Sequence, residues 1–418
     1  GANITFSSTI NNGQTLSLTG GTAGAITLSG IVGGSSTLTS FTANANTIST
    51  IGVNTNASQS YTGATSTTFN GNYNVSTSSN SFTVTGAALL AGATSINSGT
   101  SSTLSFSSTI NNAQTLSLSA TSGAITVTGA IGGTSALTSF TAAGSNTVAV
   151  NNVRTTGSQS YTSSTSTTLN GTSYLTAGGS FTTSGAILLG AGVTIDTTNA
   201  GGTPAGASMN ISSTINNAQT LSLVGGTSGV ISVLGIVGGT TPLTSFTTNG
   251  NANSTVGVRT TGAQSYTATT TSSFSGTYNI SGAASTFGVT GAAILGGATT
   301  VTTNNGNISF GSTINNAQTL SLTAGTGAVT LSGIVGGSTA LSSLTASGST
   351  ITALNVRTTG TQSYTGSTST TFNGTSYITA ANTFSVTGAA LLGAAVVIDT
   401  TNAGASPSGA SITFSSTI

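Results

Sequence analysis

The chain has 418 residues, only 1% of them charged, and its three arginines and two aspartates leave a formal net charge of +1. Sites for nucleic acids and charged membrane surfaces need clustered basic residues, so this composition predicts a protein that binds no nucleic acid. The sequence contains no run of about 18 apolar residues, which predicts no membrane insertion. Lysine, glutamate, histidine and cysteine are absent, so disulfide frameworks are excluded.

Alternating apolar and polar residues dominate the first hundred positions. Leu16-Ser17-Leu18 and Ile26-Thr27-Leu28 are examples, and Gly- and Asn-rich segments separate such runs. Period-two alternation predicts half-buried strands, and the segments between them are typical of tight turns. No helical period of useful length appears. The sequence therefore predicts an all-β protein.

A motif, Ser8–Leu18, returns along the chain at nearly constant intervals. Its isoleucines are separated by 100, 105, 99 and 104 residues, and they are Ile10, Ile110, Ile215, Ile314 and Ile418. Such self-similarity is typical of stacked repeat architectures, in which equivalent residues of successive coils lie above one another. An antiparallel sandwich would have no need of this period. We therefore expect a parallel β-solenoid with about five coils per repeat, and an inward column is predicted at Phe6, Leu28, Ile48 and Phe69.

The repeats are paired. The second and fourth copies carry longer segments, Asp196–Ser208 and Asp399–Ser411, than the first and third copies have at the same place. The true unit is therefore a double repeat of about 204 residues. We expect one continuous solenoid over residues 1–418, and its repeats are expected at about 1–100, 101–205, 206–304 and 305–408, with 409–418 starting the next.

The two ends of the chain are almost identical in sequence. Gly1–Ile10 and Gly409–Ile418 differ at one position, where Asn3 is replaced by Ser411. A solitary solenoid needs atypical capping coils, and neither end has the character of a cap. The expectation is a slice of a longer polymer or a subunit that stacks end to end.

Several segments resemble the β-strand repeats of giant bacterial surface exoproteins, which are similar to the β-helices of filamentous haemagglutinin and autotransporter passengers. The segments that carry the resemblance are Ile4–Leu16, Ile195–Gly202, Gly325–Gly333 and Val356–Tyr364. The resemblance spans the whole chain. It implies a right-handed parallel β-helix that is exported to the cell surface as a stalk, an adhesin or a fibre.

The sequence contains few residues that could act in catalysis. The only carboxylates are Asp196 and Asp399, which lie 203 residues apart, and paired carboxylates of a glycosidase must lie within about 10 Å of each other. Metal sites need clustered acidic, His or Cys ligands, and no base is present to activate a serine. We expect no enzymatic activity, no metal and no cofactor.

Thirteen residues are candidates for lateral or ligand contacts. The arginines stand at equivalent positions, which suits either a solvated face or pairing with an aspartate of a neighbouring fibre. The tyrosines recur twice per repeat, and they either pack inside the coil or form an aromatic platform at the surface. The candidates are Arg154, Arg259, Arg357, Asp196, Asp399, Tyr61, Tyr73, Tyr161, Tyr174, Tyr266, Tyr278, Tyr364 and Tyr377.

Two functions are compatible with these features. The first is a structural protein that forms an extracellular filament or cell-surface stalk, with other copies of itself as partner. Near-zero net charge favours such association, because it removes self-repulsion. The alternative is an adhesin that binds glycans or surfaces through the tyrosine-bearing turns or the loops at Asp196 and Asp399.

Overall fold

The computed structural model describes all 418 residues and contains strands but no helix. It divides into two compact units, Gly1–Ser213 and Thr214–Ile418. The boundary falls where the third copy of the recurring motif begins, so each unit corresponds to one double repeat. Both units consist of parallel coils, and about 18 turns are present in total, which confirms the predicted β-solenoid. Continuity of one solenoid across both units stays a prediction.

Each unit contains 18 strands. In the first unit they are β1 Ile4–Phe6, β2 Leu16–Leu28, β3 Phe41–Thr50, β4 Val53–Thr55, β5 Gln59–Val75, β6 Ser81–Ser98, β7 Thr103–Phe106, β8 Ile110–Asn111, β9 Thr115–Ala120, β10 Ile125–Val127, β11 Ser139–Gly144, β12 Thr147–Val150, β13 Val153–Arg154, β14 Gln159–Leu169, β15 Ser173–Leu175, β16 Phe181–Leu189, β17 Val193–Asp196 and β18 Met209–Ile211.

The second unit repeats this succession with some strands fused into longer ones. They are β19 Ile215–Asn216, β20 Thr220–Val224, β21 Val230–Val233, β22 Ser245–Thr260, β23 Gln264–Ala283, β24 Phe287–Asn304, β25 Ile308–Phe310, β26 Ile314–Asn315, β27 Thr319–Thr323, β28 Val329–Leu331, β29 Ser343–Ala353, β30 Val356–Arg357, β31 Gln362–Phe372, β32 Ser376–Ile378, β33 Phe384–Thr387, β34 Ala390–Leu392, β35 Val397–Asp399 and β36 Ile412–Phe414.

Each coil pairs with the next through three separate parallel ladders. Strands β5 and β6 show this most completely, because both run through all three. Their registers are Gln59–Thr62 with Phe82–Thr85, Ser66–Phe69 with Ala87–Leu90, and Gly71–Val75 with Thr94–Ser98. The register shifts between the segments mark the corners where the coil changes direction. A coil therefore has three sides, each with residues that alternate inward and outward.

Inward residues of one ladder stack into an unbroken column. The column that passes through the ladder of Ser66–Phe69 with Ala87–Leu90 shows spacings of 19 to 22 residues, and its ten residues span nine coil steps. They are Ile4, Ile26, Ile48, Thr67, Ala88, Ile110, Ile131, Val153, Tyr174 and Ile195. Most are β-branched, as expected of residues that fit a pleated, buried surface.

The inward column predicted from the sequence is partly wrong. Phe6 does pair with Leu28, but Ile48 pairs with Ile26 and therefore belongs to the adjacent inward position. The residue that pairs with Phe69 is Thr50. The error arises because one coil has 19 residues where the coils before and after it have 22 and 21, and the spacing of apolar residues does not reveal which coil is short.

Successive repeats do not begin on the same side of the coil. Ile10 belongs to a second column, and five coil steps along that column lead to Leu118. Its repeat equivalent, Ile110, lies in the first column instead. The second unit behaves in the same way, with Ile215 and its equivalent Ile314 in different columns. A repeat is therefore shorter than five full coils by one of the three sides. The next repeat consequently begins on a different side of the coil from the one before it.

A recurring turn contains an asparagine with positive φ. It is Asn12, Asn112, Asn217 or Asn316, and φ lies between 89° and 110°. Asn tolerates this left-handed region better than most residues because its short polar side chain bonds locally. Another turn needs glycine outright. A Cβ added to Gly33, at φ 72°, would lie 2.2 Å from the carbonyl oxygen of Asn54.

Candidate functional site

All eight tyrosines lie in the interior with 0% of their surface exposed. The first set follows the recurring Gln-Ser pair and consists of Tyr61, Tyr161, Tyr266 and Tyr364. The second set lies 12 or 13 residues later and consists of Tyr73, Tyr174, Tyr278 and Tyr377. In the first three repeats the two rings meet edge to face, with centroids 6.0 to 6.5 Å apart.

Each tyrosine of the first set is held by a buried glutamine two residues earlier. The Tyr61 hydroxyl donates to Gln59 Oε1 at 2.8 Å. Gln59 Nε2 in turn donates to the carbonyl oxygens of Val53 and Asn74, both at 2.9 Å. Val53 and Asn74 belong to successive coils, so one amide joins two turns of the solenoid. The same bonds recur around Gln159, Gln264 and Gln362.

The second set satisfies its hydroxyls with backbone groups of the preceding coil and of its own turn. The Tyr73 hydroxyl donates to the Thr50 carbonyl oxygen at 2.9 Å and accepts from the Asn70 amide at 3.2 Å. Burial raises the pKa of Tyr73 to about 12, although hydrogen bonds from Thr50 and the backbone oppose the shift. Burial also raises the pKa of Tyr61 well above its ordinary value, because the phenolate would be desolvated.

The tyrosines are therefore packing residues of the core. A lateral contact or a glycan platform needs a ring face at the surface, and none of the eight rings has one. The prediction of surface contacts through tyrosine is wrong for this structure, and the interior alternative holds. The physical reason is that the glutamine and backbone partners satisfy each hydroxyl without water.

Asp196 and Asp399 each organise a loop that closes over the end of a strand. Asp399 Oδ1 accepts from the amide and the hydroxyl of Thr401, both at 2.6 Å, and Oδ2 accepts from the Ala403 amide at 2.7 Å. Asp196 makes the equivalent bonds to Thr198 and Ala200. Asp196 is 7% exposed. Both carboxylates thus have three donors from their own loop.

The hydrogen bonds to Asp399 lower the pKa of its carboxyl, with the Thr401 hydroxyl as the largest contribution and the Thr401 and Ala403 amides next. A carboxylate that accepts several N–H and O–H groups is stabilised in its charged form. Neither aspartate contacts an acid or a base, so the loops offer no acid–base pair. Their exposed residues, among them Ala200, Gly201 and Ala205, are small and uncharged.

The three arginines are exposed, and two of them bond to neutral acceptors of the same chain. Arg259 Nη1 donates to the Gly239 carbonyl oxygen at 3.0 Å, and Arg357 Nη2 donates to Asn402 Oδ1 at 3.4 Å. Asn402 belongs to the Asp399 loop. Backbone registers place Arg357, Ile378 and Asp399 in one outward file.

The first unit contains the same outward file, formed by Arg154, Leu175 and Asp196. Arginine and aspartate of one repeat are thus two coils apart on one side. Pairing between fibres, which the sequence allows, would require a carboxylate with free acceptor capacity, and most of that capacity is used by the loop. The cross-fibre pair stays a prediction.

An apolar groove lies beside Arg259. It has a volume of about 290 Å³ and is lined by Ile236, Val256, Gly257, Arg259, Gly276 and Thr277. Ile236 is 48% exposed, and its repeat equivalents Ile31 and Ile334 are 44% and 39% exposed. Sequence reasoning missed this recurring surface isoleucine. The signal was the segment Gly-Ile-Val-Gly-Gly, in which Val points inward and the preceding Ile must therefore point outward.

Groups that could perform chemistry are not brought together. The structure contains no cluster of three or more His, Cys, Asp or Glu side chains that could hold a metal ion. It also contains no helix of sufficient length and hydrophobicity to cross a membrane. A second groove, of about 260 Å³, is lined only by Ser, Thr, Ala and Gly of three successive coils, between Ser119 and Ser164.

No protein-family model matches the sequence, and comparisons with curated proteins and with solved structures found no match.

Proposed function

We propose that the chain is a structural protein that forms an extracellular filament or cell-surface stalk by end-to-end or lateral association of its solenoids. The observation that carries this proposal is the set of three parallel ladders that join successive coils in each unit. Backbone ladders of this kind resist extension along the stack, because every coil is hydrogen-bonded to the next on all sides. The proposed role is mechanical rather than catalytic.

Interior polar groups support the same role. Each glutamine of the Gln-Ser-Tyr motif bonds to carbonyl oxygens of two coils, so the core holds neighbouring turns in register. Satisfied buried polar networks fix one arrangement of a core more strictly than apolar packing alone. A stalk that keeps its register under load would benefit from such links.

Surface chemistry supports association with other copies. The chain has a net charge of +1, and each of three repeats exposes an isoleucine at the same position. Low charge and exposed apolar residues both favour association. The resemblance to giant bacterial surface exoproteins supports a secreted, surface-attached location. The Asp196 and Asp399 loops are the ligand-binding candidates of the alternative, an adhesin.

Electron microscopy and sedimentation of the purified chain test the proposal. We expect long uniform filaments or bundles that are lost when Ile31, Ile236 and Ile334 are replaced together by lysine. The matched control places lysines at Ser36, Thr241 and Thr339, which are exposed polar residues of the same turns. The control adds the same charge but leaves the three isoleucines in place, so it should retain more association than the isoleucine variant.

Dispersed particles that bind glycans on an array would contradict the structural role and support the adhesin. Equal loss of association in both lysine variants would show that net charge, rather than the isoleucine contact, controls assembly.

A further inference from the structure

Asparagine followed by glycine occurs six times in the chain. In such pairs the backbone nitrogen of the glycine can attack the side-chain carboxamide of the asparagine, because glycine has no Cβ to hinder the approach. The pairs are Asn12-Gly13, Asn70-Gly71, Asn170-Gly171, Asn249-Gly250, Asn305-Gly306 and Asn373-Gly374. From sequence alone the six are equivalent, and the structure separates them.

Two of the pairs have their attacking nitrogen engaged in the core. The Gly171 amide donates to the Tyr174 hydroxyl at 3.2 Å, and the Gly374 amide donates to the Tyr377 hydroxyl at 3.1 Å. Both tyrosines are buried. Attack would break these hydrogen bonds and leave a buried hydroxyl with one partner fewer, which is costly.

Three further pairs are held by ladders or by a neighbouring coil. Gly71 pairs with Thr94 and Gly250 with Ala268 in parallel ladders, which fixes the backbone of both glycines. In the fifth pair the carboxamide is engaged, because Asn305 Oδ1 accepts from the Thr326 amide at 2.9 Å. In each of these three pairs, backbone pairing or a hydrogen bond to the neighbouring coil must be broken before the glycine nitrogen can attack.

The remaining pair, Asn12-Gly13, is exposed and lies between strands. Asn12 has φ 110°, and the Gly13 nitrogen lies 3.0 Å from Asn12 Oδ1. The space around Gly13 is open, with no atom within 4 Å of an added Cβ. The attacking nitrogen therefore already contacts the carboxamide that it would attack. We propose that Asn12 is a self-modification site, at which the chain forms a succinimide and then an aspartate or isoaspartate.

The reaction needs only water. The Gly13 nitrogen forms a bond to Asn12 Cγ, the Cγ–Nδ2 bond breaks, and the carboxamide nitrogen leaves as ammonia with the proton of the Gly13 amide. Water then opens the ring. Attack at Cγ yields aspartate, and attack at the Asn12 backbone carbonyl yields isoaspartate. Either product adds a third carboxylate, so the net charge of +1 falls to zero at neutral pH.

The other repeats provide matched controls within the same molecule. Asn112, Asn217 and Asn316 adopt the same positive φ, of 89°, 89° and 99°, but each is followed by alanine. The Ala317 nitrogen lies 3.2 Å from Asn316 Oδ1, close to the distance at Gly13. Asn316 differs from Asn12 in the Cβ of the following residue and in a bond from its own Nδ2 to the Leu295 carbonyl oxygen at 2.8 Å, so exchanging glycine and alanine at the two sites separates the effect of the Cβ from that of the bond.

Peptide mapping by mass spectrometry tests the proposal after the folded, full-length chain is aged in mildly alkaline buffer made with ¹⁸O-labelled water. We expect Asn12 to gain the mass of amide-to-acid conversion with one heavy oxygen at least about tenfold faster than Asn316. Gly13→Ala should reduce the rate at Asn12 toward that of Asn316. Ala317→Gly should raise the rate at Asn316 toward that of Asn12.

Chain unfolded in denaturant is the second measurement, and there all six Asn-Gly pairs should convert at similar rates. Conversion at Asn12 no faster than at Asn316 in the folded chain would overturn the proposal. Faster conversion at Asn70 or Asn373 than at Asn12 would overturn it equally, since the ladders and the core would then give no protection.

Discussion

At the scale of single residues, the buried glutamines have the strictest requirement for hydrogen-bond partners. Gln264 is 1% exposed, and its Nε2 donates to the carbonyl oxygens of Val258 and Asn279 while its Oε1 accepts from Tyr266. A buried amide is stabilising only if its hydrogen bonds are made, because desolvation of an unpaired polar group is costly. Each of these glutamines therefore holds two successive coils in one register, because its hydrogen bonds can be made only in that register.

Replacement of Gln264 by leucine should lower the free energy of unfolding by about 2–4 kcal/mol, since Tyr266 and two carbonyl groups lose partners in the core. Urea unfolding followed by circular dichroism measures the loss. Gln14→Leu is the matched control, because Gln14 is exposed in its turn, and its effect should stay within about 0.5 kcal/mol. Equal effects of the two variants would contradict a structural role for the buried amide.

Alkaline titration should reveal the buried phenols. Unfolded tyrosine ionises near pH 10, whereas burial raises the pKa of Tyr73 to about 12 and that of Tyr61 well above 10. The unfolded chain therefore releases its phenolic protons first. Stability is fully present below about pH 10 and falls as the pH rises through about 12.

Near-ultraviolet absorbance of phenolate checks this prediction. The folded chain should show almost no phenolate at pH values where the same chain in denaturant is half ionised. A folded chain that titrates near pH 10 would show that the rings reach solvent.

At the scale of elements, the loop after β35 depends on one carboxylate. Asp399 accepts three hydrogen bonds from Thr401 and Ala403, and Arg357 reaches Asn402 in the same loop. The loop has positive φ at Asn402 and Ala403. Its conformation therefore has to be held by side-chain bonds, which the carboxylate supplies.

Asp399→Ala should release this loop, and hydrogen exchange at the Thr401 and Ala403 amides should accelerate. Asp399→Asn keeps one carbonyl oxygen and should show an intermediate rate. The pKa of Asp399 is lowered in the folded chain, so the carboxylate contribution is present above its unfolded pKa of about 3.9 and is lost as the pH falls through the lower folded value. Unchanged exchange in the alanine variant would refute the dependence.

The sequence predicted which segments form strands better than it predicted which residues pair between successive coils. The alternation in Leu16-Ser17-Leu18 and Ile26-Thr27-Leu28 indicated strand, and both runs lie in β2. The column through Ile48 failed because corner lengths vary between coils, and glycine-rich corners carry no periodic signal. The buried role of Gln59 was not predicted, since glutamine is usually exposed and its partners come from two different coils.

At the scale of the whole molecule, the scarcity of charge is the dominant property. Five side chains carry all of it, and Arg259 and Arg357 bond to neutral acceptors. Stability must therefore come from burial and backbone ladders, both of which are indifferent to ionic screening.

The thermal midpoint should therefore change little between about 0.01 M and about 1 M sodium chloride, over which exposed ion pairs are screened. Sulfate should raise the midpoint, because excluded salts strengthen burial of apolar surface. Differential scanning calorimetry in both salts measures the contrast. A steep fall of the midpoint in sodium chloride would indicate a network of charges that holds the fold.

The offset between successive repeats has a consequence for assembly. Arg259 and Arg357 occupy the same place in their repeats, but their strands belong to different columns of the second unit. The two arginines therefore lie on different sides of the coil. A neighbouring copy that binds at Arg259 and one that binds at Arg357 would therefore approach from different sides of the solenoid, so lateral association would build a bundle around each filament rather than a flat ribbon.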